Sequence, residues 1–333
     1  MSSQTFQALV VSETEDKQYI RETKTKTLAE LPEDEVLVRV RYSSLNYKDV
    51  LSAIGNKGVT KRYPHTPGID AAGVVAESQS PDFQPGDEVI VTSYDLGMNT
   101  PGGFGEFIRV PAAWVVKRPE GLSLRESMIY GTAGFTAALS VLRLMAGGVQ
   151  ADRGKILVSG ATGGVGSVAV SILAQEGYQV TAVSGRKETW EYLQELGARE
   201  MISTEEATDT SGRPLLSDRW AGSIDTVGGP LLATTIRSVS YGGVVTCCGN
   251  VASPDLPLTV YPFILRGVTL IGIDSQNCPM PTRVQVWQKL AQKWKVPHLE
   301  RITTETDLDG LNEQIDLILN RQHRGRTIIK LPQ

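Results

Sequence analysis

The sequence predicts an α/β protein in two parts: a β-rich, barrel-like part and a doubly wound part built on a parallel sheet. Three observations predict it. Val36, Val38 and Val40 alternate with Leu37, Arg39 and Arg41, a period of two that marks strands early in the chain. From residue 155 onward, short apolar runs alternate with helical patterns, as when strands are joined by crossover helices. The chain has 333 residues, more than one small core serves.

Residues 1–125 read as short strands punctuated by Pro and Gly, which suggests a small barrel or sandwich. Pro85-Gly86-Asp87 turns the chain into Glu88–Val91, and Gly102–Glu106 opens an apolar run through Phe107, Ile108 and Val110. Pro119-Glu120-Gly121 closes this part. Residues 126–146 then turn helical, with Ala137, Ala138, Val141, Leu142 and Met145 on one stripe, and Gly147-Gly148 stops the helix. Strands are expected at 155–159, 179–184, 200–203, 223–227, 243–248 and 268–273, and helices at 165–176, 187–196 and 230–239. Residues 204–219 are polar and read as a surface excursion. After Asp274 helices are expected at 282–294 and 308–320, and the apolar run 327–331 suits a strand rejoining the first part. The expected domains are 1–125 with 274–333, and 126–273.

Composition narrows the function classes. Net charge is −4, with 41% hydrophobic and 21% charged residues. That argues against nucleic acid or an anionic membrane as the main partner. No apolar run in the sequence approaches the roughly 20 residues of a membrane span. The N-terminus lacks a basic region followed by an apolar one, so a cytoplasmic protein is expected. Three cysteines (Cys247, Cys248, Cys278) suggest a reducing compartment, and three histidines (His65, His298, His323) leave few ligands for zinc.

The chemistry-bearing stretch is Lys155–Ser167. A short strand, Ile156-Leu157-Val158, runs into Gly160, Gly163, Gly164 and Gly166, and Val165, Val168, Ala169, Ile172 and Leu173 follow at helical spacing. Strand, glycine turn and helix in that order make a phosphate cradle: backbone can approach a pyrophosphate, and the helix N-terminus supplies free N–H groups. Thr162, Gly163, Gly164 and Val165 are the expected contacts. The next strand ends in Ser184-Gly185-Arg186-Lys187 rather than in a carboxylate. A carboxylate there would bind the ribose hydroxyls of NAD; a hydroxyl, a glycine and two cations fit a 2′-phosphate instead. NADPH is therefore the expected cofactor, with Ser184, Gly185 and Arg186 at the phosphate. Arg186 and Lys187 as a plain solvated pair is the alternative.

Further motifs accompany the glycine turn: Ser43–Val50, Pro67–Val75, Gly86–Val89, Gly131–Ala137, Ile224–Gly228, Tyr261–Gly267, Gly272–Ser275 and Gly325–Thr327. With them the chain resembles the zinc-independent medium-chain dehydrogenase/reductase superfamily, in its acryloyl-CoA reductase and quinone oxidoreductase-like branch. The resemblance implies a Rossmann cofactor domain inserted in a GroES-like catalytic domain, and a homodimer. Where zinc members carry a catalytic Cys this chain has Asn46; where they carry His-Glu it has Ile69-Asp70. A metal site is not expected, which disfavours alcohol oxidation.

The resemblance implies hydride transfer from NADPH to the activated C=C of a small enoyl thioester such as acryloyl-CoA. A quinone reductase is the rival on the same scaffold, and a non-enzymatic NADPH-binding protein the rival of another class. Asn46 and Tyr47 are the expected catalytic residues, as hydrogen-bond donors or acids; Tyr47 as a stacking wall beside the cofactor is the alternative. Lys48 and Asp49 read as an ion pair, and Asp70 as either a functional or a structural buried carboxylate. Thr132 and Phe135 are expected along the nicotinamide pocket, and Gly249, Ile273 and Ser275 at the cofactor end of later strands. Arg326 reads either as a contact to cofactor phosphate or as a surface cation. Lys61 and Arg62 read as a solvated pair or as contacts to CoA phosphates.

Overall fold

The structure is a computed structural model describing residues 4–297 and 299–332. Residues 1–3 and His298, used in the sequence reading, lie outside the described residues. In chain order the elements begin with β1 (Thr5–Glu13), β2 (Tyr19–Thr27), β3 (Val36–Leu45), α1 (Tyr47–Ala53), β4 (Asp70–Ser78), β5 (Glu88–Thr92), β6 (Phe107–Val110) and β7 (Val115–Lys117). Helix α2 (Leu124–Ala146) leads to β8 (Lys155–Val158), α3 (Gly164–Gln175), β9 (Gln179–Val183), α4 (Trp190–Glu195) and β10 (Glu200–Ile202). Then come α5 (Thr204–Ala207), β11 (Trp220–Asp225), α6 (Gly229–Ser238), β12 (Val239–Cys247), α7 (Tyr261–Arg266) and β13 (Thr269–Gly272). The chain closes with α8 (Met280–Ala291), β14 (Thr303–Thr306), α9 (Leu311–Leu319) and β15 (Arg326–Lys330).

Two compact units result: Met1–Thr132 with Gln276–Gln292 and His298–Gln333, and Ala133–Ser275 with Lys293–Pro297. The division differs from 125/126 because α2 is broken at Gly131, whose φ of 49° and ψ of −156° are not helical. Lys293 and Trp294 join the second unit because both bond to Glu176, at 2.7 and 2.9 Å.

In the first unit a seven-stranded sheet runs β14-β15-β3-β4-β5-β7, with β6 also on β3, and β1 and β2 form a separate hairpin. The period-two reading of β3 holds: Val36, Val38 and Val40 enter one core with Leu9, Val91, Phe104 and Ile329. Leu37, on the other face, is buried too, because Phe6, Leu28 and Phe107 cover it. The apolar run near 327–331 does return as β15, pairing antiparallel with β3 at Thr327 and Leu45. Strand β14 carries no apolar alternation, being Thr-Thr-Glu-Thr, so its sequence does not announce it.

The second unit is the expected parallel sheet, in the order β10-β9-β8-β11-β12-β13. The order reverses between β8 and β11, the place where such folds open a ligand crevice at the strands' carboxyl ends. Covered on both faces, β11 is buried throughout. The expected helix 187–196 is a 3-10 turn, Lys187–Thr189, followed by α4. Helix α2, Leu124–Ala146, passes for a membrane span by length and composition, but 78% of its most apolar 18-residue window is buried, as in a core helix.

Candidate active site

At the crevice of the parallel sheet, Ser159 and Asp225 join the ends of β8 and β11. Ser159 Oγ donates to Asp225 Oδ1 at 2.7 Å, and Asp225 Oδ2 accepts the Gly228 N–H at 2.7 Å. Burial raises the Asp225 pKa, and the Ser159 and Gly228 donors work against that rise. The glycines of the turn divide by purpose. Gly160 has φ of 57° and a Cβ there would lie 2.2 Å from Thr226 Oγ1; one on Gly166 would lie 2.3 Å from Gly160 O. Those two permit the turn and the close helix–strand packing. A Cβ on Gly163 would meet only Gly160 O, at 3.3 Å. Gly163 is the N-cap of α3 and supplies no side-chain cap for the helix's first N–H groups.

The turn after β9 sits beside this glycine turn. Arg186 Nη2 reaches Thr162 Oγ1 at 3.3 Å, linking the turn after β9 to the turn after β8. Ser184 bonds within its own turn. Its buried hydroxyl accepts the Arg186 N–H at 3.2 Å and meets Thr189 Oγ1 at 2.9 Å, so it shapes the turn. Gly185 is exposed. Lys187 stands over the Trp190 ring, 6.0 Å from its centroid. Gly249 is required by packing, since a Cβ would lie 2.1 Å from Thr226 O. Ile273 continues the sheet by donating its N–H to Cys247 O at 2.9 Å, and Ser275 is half-buried just beyond. Phe135 is fully buried.

In the first unit, Asn46 and Tyr47 divide into two roles. Asn46 is the N-cap of α1 and is buried. Its amide nitrogen donates to Asp70 Oδ2 at 2.8 Å and to Ser44 O at 3.2 Å, while its Oδ1 accepts from Arg326 Nη1 at 3.2 Å. Both amide hydrogens are thus held inside the protein. Tyr47, the next residue and the first of α1, is 48% exposed. Asp70 lies fully buried and receives Ser44 Oγ at 2.5 Å, Thr132 N at 2.8 Å and Thr132 Oγ1 at 2.5 Å in addition to Asn46. The structural reading of Asp70 is the one its contacts favour. Thr132 Oγ1 also meets Ser93 Oγ at 2.9 Å.

Arg326 is not a surface cation. It is 2% exposed and donates to Ile129 O, Leu45 O, Asn46 Oδ1 and Ser44 Oγ, at 2.8–3.3 Å. Burial lowers its pKa, and the charges of Asp70 and Asp49 oppose this. Lys48 reaches Gln276 Oε1 at 2.6 Å, while Asp49 turns inward to the Asn46, Gly68 and Ile69 N–H groups at 2.8, 3.1 and 2.8 Å. Burial, and then the charge of Asp70, push Asp49 up to about 7.

The N-terminal half of this chain matches the Alcohol dehydrogenase GroES-like domain over residues 32–120, and the later part matches Zinc-binding dehydrogenase over 164–293. Acrylyl-CoA reductase AcuI of Ruegeria pomeroyi is 43% identical over 97% of this chain and 98% of its own. YhfP of Bacillus subtilis, assigned by name to the quinone oxidoreductases, is 45% identical over 98% and 99%. The chain belongs to the zinc-independent medium-chain dehydrogenase/reductase superfamily. The yhdH oxidoreductase of Salmonella enterica, solved with NADP, superposes with a TM-score of 0.95 at 42% identity over 98% of this chain and all of that one. YhfP, solved with NAD, gives 0.96 over 99% and 100%. The chain is thus an oxidoreductase of this superfamily.

In this reductase the zinc-ligand positions belong to the Asn46–Asp70 network, and among the described residues no group of three or more His, Cys, Asp or Glu side chains could hold a metal ion. Sequence reading missed Ser44, Ser93 and Ser159 as parts of the two sites. Serines carry no periodic or charge signal; only the fold brings Ser44 to Asp70, 26 residues on, and Ser159 to Asp225, 66 on. Arg326 was singled out, but its role depends on β15 returning to β3.

Proposed function

We propose that this enzyme is an NADPH-dependent reductase of the activated C=C of a small enoyl thioester such as acryloyl-CoA. Kinship with AcuI across nearly the whole chain carries this reading. The cofactor fits the residues present: an uncapped α3 N-terminus behind Gly163 suits a pyrophosphate, and Arg186 beside Thr162 suits a 2′-phosphate. When bound, NADPH supplies the hydride. The protein's part is to hold the phosphates with Thr162, Gly163, Gly164, Val165 and Arg186, and to offer donors where charge develops on the acceptor. Tyr47, exposed at the start of α1, is the proposed donor or wall. Within the first unit Thr132 is its proposed neighbour; within the second, Gly249, Ile273 and Ser275 are proposed cofactor contacts at the later strand ends.

Quinone reduction is the second reading, favoured by the 45% identity to YhfP. NADPH oxidation measured with acryloyl-CoA and with 1,4-benzoquinone at matched concentrations separates the two. Faster turnover of the thioester is expected; faster turnover of the quinone overturns the first reading.

We also propose a homodimer through the second unit. Strand β13 is an edge of its sheet, and nearby α7 carries Tyr261, Ile264 and Leu265 exposed, Ile264 by 67%. An open edge beside apolar side chains suits pairing with a second copy. We also propose a reducing compartment such as the cytoplasm, which a chain with three scattered cysteines fits.

A further inference from the structure

In the first unit, the buried Asp70 and Arg326 are bridged twice. Ser44 Oγ donates to Asp70 Oδ2 at 2.5 Å and accepts from Arg326 Nη2 at 3.0 Å. The Asn46 amide gives its nitrogen to Asp70 and its oxygen to Arg326. Each bridge has a fixed direction: turning the amide over would set oxygen against carboxylate and N–H against guanidinium. Around this pair four irregular backbone features meet. They are the end of β3, the N-cap of α1, the break at Gly131 and Ser93, whose φ is 65° without being glycine. A Cβ on Gly131 would lie 2.4 Å from Ser44 Oγ, 2.5 Å from Asp70 Oδ2 and 2.8 Å from Arg326 Nη2.

A buried charged network is weak evidence for stability, since apolar residues of similar volume often serve as well. Its distinctive effect is to admit one geometry when every partner is satisfied. The geometry set here is that of Asn46, Thr132 and the first turn of α1, which presents Tyr47.

We infer that Asp70 and Arg326 are positioning residues for the reductase: acting through Asn46 and Thr132, they hold the first turn of α1 and Tyr47 in register for reaction. The inference rests on the oxidoreductase reading, not on the choice of acceptor. The test therefore uses whichever of acryloyl-CoA and 1,4-benzoquinone the wild type turns over faster. Full-length Arg326→Met, Arg326→Lys and Asp70→Asn are compared in kcat, KM for NADPH, NADPH affinity by fluorescence, and thermal midpoint. For Arg326→Met a kcat loss of about 100-fold is expected, the size of effect that a misplacement near 1 Å produces. NADPH affinity should stay within about threefold, and Arg326→Lys should recover part of the loss. The primary isotope effect with C4-deuterated NADPH should rise in Arg326→Met as hydride transfer becomes limiting. If kcat per folded molecule is unchanged in cooperatively melting Arg326→Met and Asp70→Asn, the inference is overturned. It is equally overturned if kcat falls only in step with the folded fraction. A preference for quinone over thioester would overturn the proposed substrate and leave this test intact.

Discussion

A methyl group at residue 131 would occupy the space where Asp70, Ser44 and Arg326 converge. Its backbone, at φ 49° and ψ −156°, is also one that only glycine adopts readily. Gly131→Ala should therefore destabilise the protein by about 2–3 kcal/mol, read as a lower urea midpoint with unchanged slope. A variant as stable as wild type would show that the break in α2 is incidental. Arg186 makes the opposite kind of case. It is half-buried and bonded to Thr162, and the role proposed for it is selection of the cofactor's 2′-phosphate. A hydrogen bond between charged groups contributes about 1.5–3 kcal/mol, so Arg186→Ala should lower the ratio of kcat/KM for NADPH over NADH by about 10- to 100-fold. An unchanged ratio would remove Arg186 from the phosphate site. Neither residue's role is readable from its type alone. Gly131 stands inside an apparently continuous helical stripe, and Arg186 was distinguished only by following a strand directly.

At the level of elements, the crevice between β8 and β11 is held by side chains as well as by the sheet. Ser159 Oγ donates to Asp225 and accepts the Thr226 N–H at 2.9 Å, so one hydroxyl closes both strand ends. Ser159→Ala leaves a buried carboxylate and an N–H short of partners. A loss of about 1–3 kcal/mol in unfolding free energy is expected, with a raised KM for NADPH from the loosened crevice. Equal stability and equal KM would mean that water or relaxation replaces the hydroxyl. Element types were largely legible because period-two and period-3.6 patterns report which face is covered. Boundaries were less so. Strand β11 starts at Trp220, three residues before its expected start, because that end too is covered. The expected helix from 308 begins at Leu311, where Gly310 precedes it as N-cap.

For the whole molecule, pH dependence follows from burial, and the proposed dimer from an exposed apolar face. Asp49 is pushed up to about 7 from the ordinary 3.8, first by burial and then by Asp70. Folded protein thus holds this proton more tightly than unfolded chain does. Its stabilisation is complete below about pH 4 and is lost as pH rises through about 7. Urea midpoints of wild type and Asp49→Asn, compared from about pH 5 to 8, should converge or cross as pH rises, with the flatter profile in the variant. Parallel profiles would mean that Asp49 keeps an ordinary pKa. For assembly, Ile264→Asp places a charge on the apolar face beside β13. It should shift sedimentation toward the monomer while leaving the far-ultraviolet spectrum unchanged. A wild type that sediments as a monomer would refute the dimer.

Local sequence alone determined the fold class and the strand–glycine–helix run on which the proposed cofactor site rests. Alternating valines, the strand–glycine–helix run at 155–167 and the Ser184-Gly185-Arg186 turn are contiguous, and contiguous residues carry their geometry with them. Tertiary structure alone decided which partners the polar residues of the first unit have. Asn46, Asp70, Thr132 and Arg326 come from four places in the chain, and their partners exist only once β15 lies against β3 and α2 breaks at Gly131. A hydrogen bond takes its meaning from the atom opposite it. For Asn46 that atom is supplied by Asp70 and Arg326, 24 and 280 residues away, so a donor expected for substrate is held inside the protein.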